Sequence, residues 1–351
     1  VTTPTRWGLR VPIVPVPERV RAFELDPAMP SGALPIFGEY LDRLGRNAAN
    51  QRLLSWFLLA FGVAQFFTGA GIVLPVGVLA LVGAVEARWL YRAYVRVPET
   101  RLKREAFRQV DIAADGLVAA GRSVGVRLPD GRWLRVRLDE PYRLLLATHR
   151  RVWLLGRGPK VFVGFPGVVR VRRARIFDAP PADAAAVPPA AGAYSPRLDP
   201  VLTAHRRRIA RDQCALAAFL LVLAGFAAWV RLDFPATGWI AWTFAGAALL
   251  TALVAAARSV AYRRPLAADH WTELRAVLDG PVRMGPRGAR LSGLTMLADG
   301  AVIGFRMPTA DPSMAANVAA TGRLWIAGVP RPGGATAGVP GYPVLGTVWL
   351  G

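Results

Sequence analysis

The chain carries one long pattern twice, and that pattern constrains its folding more than any other feature. Arg46-x-Ala48-x-x-Gln51 precedes a first apolar block, Leu53–Val85, and Arg208-x-Ala210-x-x-Gln213 precedes a second, Cys214–Ala257. After each block the same landmarks follow in the same order. Asp115-Gly116, Leu128-Pro-Asp130-Gly131, Arg151-Val-Trp153-Leu-Leu-Gly156 and Phe165-Pro166-Gly167 are echoed by Asp279-Gly280, Leu297-Ala-Asp299-Gly300, Arg323-Leu-Trp325-Ile-Ala-Gly328 and Val339-Pro340-Gly341. The offset between the copies drifts only from 162 to 174 residues, with the insertions at turn positions. Asp-Gly and Pro-Gly are common turn dipeptides one at a time. A set of them kept in order marks a duplicated unit.

Between Arg52 and Glu86 no charged residue occurs over 33 positions. As one helix this run would be about 50 Å long, against a hydrocarbon core of about 30 Å. Gly69-Ala-Gly71 and Pro75 interrupt it, so it reads as two helices, Leu53–Ala70 and Leu74–Tyr94, with a re-entrant hairpin as the structural alternative. The second block splits at Arg231-Leu-Asp233-Phe-Pro235 into Cys214–Val230 and Gly238–Ala257. Small residues at every fourth position, such as Ala60, Ala64 and Thr68 or Ala241 and Ala245, suit close packing in a four-helix bundle or a dimer. Basic residues crowd the proposed inner ends of these helices, and Arg231 alone lies in the outer turns. The positive-inside rule then predicts a multi-pass protein of the bacterial cytoplasmic membrane with both termini in the cytoplasm. Arg88, Arg92, Arg96, Arg206, Arg207, Arg208, Arg263 and Arg264 are the candidate contacts to anionic lipid headgroups. Each such residue contributes about 1 kcal/mol near a charged membrane surface. The first fifty residues lack a cleavable signal pattern, so the first apolar block is read as its own insertion signal.

The segments after each block alternate apolar residues with arginine, the period-2 mark of a strand with one buried face. In the first copy the expected strands are two within Ser123–Leu138, then Tyr142–Ala147, Arg151–Leu155, Lys160–Gly164 and Val168–Ile176. In the second they are Ala301–Met307, Arg323–Ala327 and Val344–Leu350. Trp153 and Trp325 are equivalent and read as core residues. The expected fold is therefore an α+β membrane protein. Four transmembrane helices form two hairpins, each followed by a small cytoplasmic β-barrel-like or curled-sheet module. The divisions are a Pro-rich N-terminal segment (1–45), hairpin one (46–96), β module one (97–178), a Pro/Ala-rich tether (179–200), hairpin two (201–264) and β module two (265–351). This layout resembles the general plan of bacterial membrane proteins with PH-like domains, a likeness of architecture that implies no activity.

The net charge of +21 raises nucleic acid as a partner, but the basic residues sit beside the apolar blocks, which points to lipid and away from nucleic acid. Cys214 is the single cysteine, which excludes an internal disulfide and a Cys-rich metal site, and its place in an apolar helix predicts a buried thiol. His149, His205 and His270 have neither metal-ligand spacing nor a duplicated counterpart, and His149 is expected in a turn between strands. Phosphate loops, nucleophile elbows and paired carboxylates are lacking. No catalytic residue, metal or cofactor is expected. The functional expectation is a non-enzymatic integral membrane protein acting as an inner-face platform for a protein partner or anionic lipid headgroups, with a partner protein or a homo-oligomer. A subunit of a membrane transport complex is the alternative, to which the chain offers Gln65 deep in a span and Glu86 near an interface, neither of them duplicated.

Overall fold

The computed structural model describes residues 2–4, 10–12, 20, 22–67, 80–81, 83–85, 104–188, 195–233, 238–285, 288–297 and 299–351. The chain divides into two compact units. One comprises Val1–Arg43, Thr100–His205 and Pro265–Gly351, and the other Leu44–Glu99 and Arg206–Arg264.

The first unit is built on two antiparallel β modules, besides a short ribbon of β1 (Thr2–Pro4) and β2 (Arg10–Pro12). In the first module β3 (Arg108–Asp111), β4 (Leu117–Ala120), β5 (Ser123–Arg127), β6 (Trp133–Arg137), β7 (Arg151–Leu155), β8 (Lys160–Phe165), β9 (Val168–Phe177) and β10 (Ala185–Ala186) line up in the order β10-β4-β5-β6-β9-β8-β7-β3. In the second, β11 (Trp271–Leu278), β12 (Arg283–Gly285), β13 (Gly288–Met296), β14 (Val302–Ala310), β15 (Arg323–Ala327), β16 (Gly333–Gly338) and β17 (Leu345–Leu350) run β11-β15-β16-β17-β14-β13-β12. Here β11 pairs with β15 through Trp271–Arg275 and with β13 through Arg275–Leu278, which closes six strands into a barrel.

One local difference separates the closed module from the open one. β3 corresponds to β11 and β4 to β12, but in the first module the chain breaks before β3 reaches β5, so that β3 pairs with β7 and β4 with β5. Ala113-Ala114-Asp115-Gly116 makes the break, with the Gly116 N–H donating to the Ala113 carbonyl at 2.9 Å. β11 is eight residues long against four in β3 and reaches from β15 to β13 before its own Asp279-Gly280 turn. The first module therefore remains a half-barrel.

The duplicated landmarks have duplicated geometry. Gly131 and Gly300 both sit at φ +84, and each donates its N–H to the leucine three residues back at 3.0 Å. Asp130 accepts from the Arg132 N–H as Asp299 does from the Ala301 N–H. Trp153 and Trp325 are buried, and Trp325 packs with Trp271 and Leu202. Tyr142–Ala147, expected as a strand, lies instead in helix α2 (Glu140–His149), numbered after α1 (Pro35–Phe67). Asp139 occupies its N-cap position, Pro141 lies in its first turn, and Tyr142, Leu145 and Leu146 are buried at helical spacing. His149 is consequently the last residue of a helix, which ends at Arg150 in the left-handed region. The second module has the matching helix α5 (Pro312–Thr321), where Asp311 accepts from the Ser313 N–H at 2.8 Å and Gly322 terminates the last turn. The tether is also partly structured, since β10 pairs with β4 and Pro181 is buried.

The two modules share one continuous apolar core and a polar joint. Asn317 of α5 is buried at this joint. Its Oδ1 accepts from the Phe23 N–H at 2.8 Å, and its Nδ2 donates to the Gly167 carbonyl at 2.8 Å and the Ser313 carbonyl at 2.6 Å. The Val169 N–H donates to Ser313 Oγ, and Arg170 pairs with Asp311 at 3.2 Å. Gly167, at φ +66, lies so close to Tyr342 that a Cβ would come within 2.5 Å of the ring. The repeated Pro-Gly turns thus help to join the modules.

Two further helices are α3 (Pro200–Asp233) and α4 (Gly238–Arg263). Asp199 caps the start of α3, accepting from the Leu202 N–H at 3.0 Å, and its other oxygen accepts from the Gly341 N–H of the second module at 2.7 Å. Burial raises its carboxyl above the ordinary value, against the backbone N–H groups that favour its charge. Asp199→Ala is expected to cost about 2 kcal/mol, read as a lower urea midpoint, because it removes a cap and strands the Gly341 donor.

The expectation of four transmembrane helices is corrected. Among the described residues one helical stretch, Ala245–Arg263 of α4, is long and apolar enough to cross a membrane, with mean hydropathy 1.5. Of the stretch expected at Leu53–Ala70, the described part to Phe67 is the later part of α1, which begins at Pro35 and carries Glu39, Asp42, Arg43, Arg46 and Arg52. The stretch expected at Cys214–Val230 lies inside α3, which carries charges from Arg206 to Asp233. Most of Leu74–Tyr94, and with it the choice between hairpin and re-entrant loop, lies outside the described residues. The physical reason is that the uncharged runs are parts of longer helices that continue through charged turns, which a count of uncharged positions does not register. The integral, multi-pass placement in the cytoplasmic membrane falls with the helix count, as does the cytoplasmic assignment of both termini.

Candidate functional site

The site with the clearest chemistry lies in the second unit, where α3 and α4 meet. Buried positions of α4 recur at Ala245, Ala248, Ala252, Ala255 and Ser259, three or four residues apart, which keeps one face small. Ser259 Oγ donates to the Ala210 carbonyl of α3 at 2.8 Å. Arg206 fixes the end of the pair. Its Nη2 donates to the Ala261 and Arg264 carbonyls at 3.0 and 2.7 Å, occupying acceptors that a helix C-terminus leaves open, and its guanidinium lies 5.6 Å from the Tyr262 ring centroid. Burial lowers the Arg206 pKa below its ordinary value, with Tyr262 opposing the shift.

With the helices held in this way, Arg207, Arg211, Cys214 and Ala218 fall on one stripe of α3, and Arg263 of α4 faces them. Together with Ala215 they line a groove of about 470 Å³. All three arginines are exposed, and none forms an ion pair or hydrogen bond among the described residues. No carboxylate lines the groove. A guanidinium presents five fixed N–H donors suited to phosphate or carboxylate oxygens, so three beside an apolar wall have the chemistry to meet an anion that carries apolar matter. Along the outward faces the helices expose Leu216, Phe219, Val222 and Trp229 on α3, and Leu250, Leu253 and Val260 on α4. Val222 is 70% exposed and Leu250 65%, far more contiguous apolar surface than a monomer in water usually leaves bare.

The structure sorts the eight arginines expected to meet headgroups. Arg207 and Arg263 line the groove, whereas Arg206 is a helix clamp and Arg208 lies 3.8 Å from Asp212, four residues on. Arg264 is exposed outside the groove lining, and Arg88, Arg92 and Arg96 lie outside the described residues. Arg211 and Cys214 were not among the expected contacts. Their signal was the spacing 207, 211, 214, 218, which repeats one helical face. Cys214 is exposed, correcting the expectation of a buried thiol, because the stripe it shares with Arg207 and Arg211 faces out of the helix pair.

No protein-family model, curated protein or solved structure matches this chain. Among the described residues no group of three His, Cys, Asp or Glu side chains converges as a metal site. His149 packs its ring against Tyr342, with centroids 4.7 Å apart.

Proposed function

We propose that this chain is a non-enzymatic platform whose helical unit binds an anionic lipid surface, with the paired β modules acting as one rigid body that receives a protein partner. The observation that carries the reading is the groove of Arg207, Arg211 and Arg263, three cations with no counter-ion among the described residues, beside helix faces of Leu, Phe, Val and Trp. Arginines suit phosphate-bearing headgroups and the neighbouring apolar side chains suit the acyl boundary, the pairing that interfacial helices use. A nucleic-acid surface would satisfy the arginines alone and leave the apolar face in water.

Sedimentation with vesicles tests the reading. The purified protein is expected to bind phosphatidylglycerol-containing vesicles well above phosphatidylcholine vesicles, and less as salt rises. Replacing Arg207, Arg211 and Arg263 together by Gln removes about 3 kcal/mol at about 1 kcal/mol per residue, an affinity loss of roughly a hundredfold. Equal binding to both vesicle types, or an unaffected triple variant, contradicts the proposal.

A further inference from the structure

A second cluster of unneutralised arginine lies on the closed β module, and it does not depend on the lipid reading. Arg283 of β12 is the direct antiparallel partner of Arg290 of β13, and two residues along β13 Ser292 is the partner of Arg306 on β14. Side chains two apart on a strand share a face, so Arg290 and Ser292 point the same way, and their direct partners Arg283 and Arg306 share that face. The three guanidiniums line one groove of about 710 Å³. Leu278, Pro281 and Pro308, which are half-buried or exposed, give the groove an apolar side.

Like charges placed directly opposite on a sheet destabilise it, and the usual remedy is a neighbouring acid or carbonyl. The first module applies that remedy widely. Arg122 pairs with Asp139, Arg127 with Asp115 and Arg151 with Asp111, while Arg135 donates to the Ala179 and Pro180 carbonyls. Arg283, Arg290 and Arg306 form no ion pair or hydrogen bond among the described residues. Asp279 also lines the groove, with its carboxylate beyond ion-pair distance of all three. A cross-strand cation pair with no counter-ion among the described residues is a cost to stability that a bound anion would relieve.

The geometry points to a binding site for a phosphate monoester carried on an apolar or aromatic group. The guanidiniums and the Ser292 hydroxyl supply donors for phosphate oxygens, and Leu278, Pro281 and Pro308 give the organic part an apolar surface. The groove volume falls within the range of small-molecule sites, roughly 300–1,000 Å³. The same group could come from a water-soluble ester or from a lipid headgroup.

Titration calorimetry on the full chain distinguishes these sources, using a background in which Arg207, Arg211 and Arg263 are Gln so that the other basic site is silent. The probes are 1-naphthyl phosphate, 1-naphthol, inorganic phosphate and phosphatidic acid vesicles. Naphthyl phosphate is expected to bind at least tenfold more tightly than inorganic phosphate, naphthol is not expected to bind, and Arg290→Gln is expected to weaken naphthyl phosphate at least tenfold. Binding of phosphatidic acid vesicles alone, lost in Arg290→Gln, assigns the same chemistry to a headgroup. The thermal midpoint gives a second readout, since Arg290→Gln removes a repulsion and should leave the midpoint equal or higher. A lower midpoint with unchanged naphthyl phosphate binding makes the arginine structural and overturns the proposal. So does tighter, Arg290-dependent binding of a single-stranded oligonucleotide or a polyglutamate peptide than of any phosphate probe.

Discussion

Asn317→Leu is expected to destabilise the β body by about 4 kcal/mol. The substitution keeps the approximate shape of the side chain but removes the acceptor for the Phe23 N–H and the donor to the Gly167 carbonyl, both buried at the joint between the modules. A buried backbone group deprived of its partner costs about 1–3 kcal/mol, and two are left stranded here. Surface hydrogen bonds have nothing comparable, because water replaces the lost partner. Urea unfolding followed by tryptophan fluorescence reads the effect directly, since Trp153, Trp271 and Trp325 are all buried in this unit. A loss below about 1 kcal/mol would mean that the joint is held by its apolar contacts and that the amide is incidental.

Acid is expected to loosen the same body through His149. In the unfolded chain its imidazole takes up a proton below about pH 6.5. In the folded protein burial first, and the positive charge of Arg151 second, hold the proton off until about pH 4. Stability is therefore complete above the ordinary histidine value and is lost as pH falls through this window, by about 3 kcal/mol in all. Below about pH 4 both states are protonated and this contribution stops changing. The ring lies 4.7 Å from Tyr342, and its Nε2 is buried without a hydrogen-bond partner, so the folded site offers the added proton no acceptor. His149→Phe retains an aromatic ring against Tyr342 and should reduce the acid-linked loss between pH 7 and 4 by that amount. Unfolding curves with the same pH dependence in both proteins would remove His149 from the account.

Much of the β architecture was legible because it depends on local chemistry. The Asp130-Gly131 and Asp299-Gly300 turns need a left-handed glycine after an aspartate that receives a backbone N–H, and both residues are written in the chain. Trp153 and Trp325 announce themselves as equivalent core positions by the Arg-x-Trp-x-x-Gly pattern that both copies share. Helix α2 was harder to read, since Tyr142-Arg143-Leu144-Leu145-Leu146 suits a buried strand as well as a helix. The deciding features were Asp139 and Pro141 at its start. The joint could not be read from the sequence at all, because Asn317 and Gly167 stand 150 residues apart and neither means anything alone. In the helical unit, a run without charge suggested spans that the helices do not supply. Counting arginines near such a run could not separate Arg206, consumed as a clamp, from Arg211, which is open to a ligand.

The central functional claim is that the basic groove between α3 and α4 meets anionic lipid, and the chain supplies its own reporter there. Cys214 is the single cysteine, is exposed and lines the groove, so an environment-sensitive NBD label attaches at one place. The account predicts a blue shift and brightening of NBD emission on adding phosphatidylglycerol vesicles. No such change should follow phosphatidylcholine, and the response should be lost when Arg207, Arg211 and Arg263 are Gln. Emission that stays the same with anionic vesicles, or shifts equally with both kinds, would contradict it.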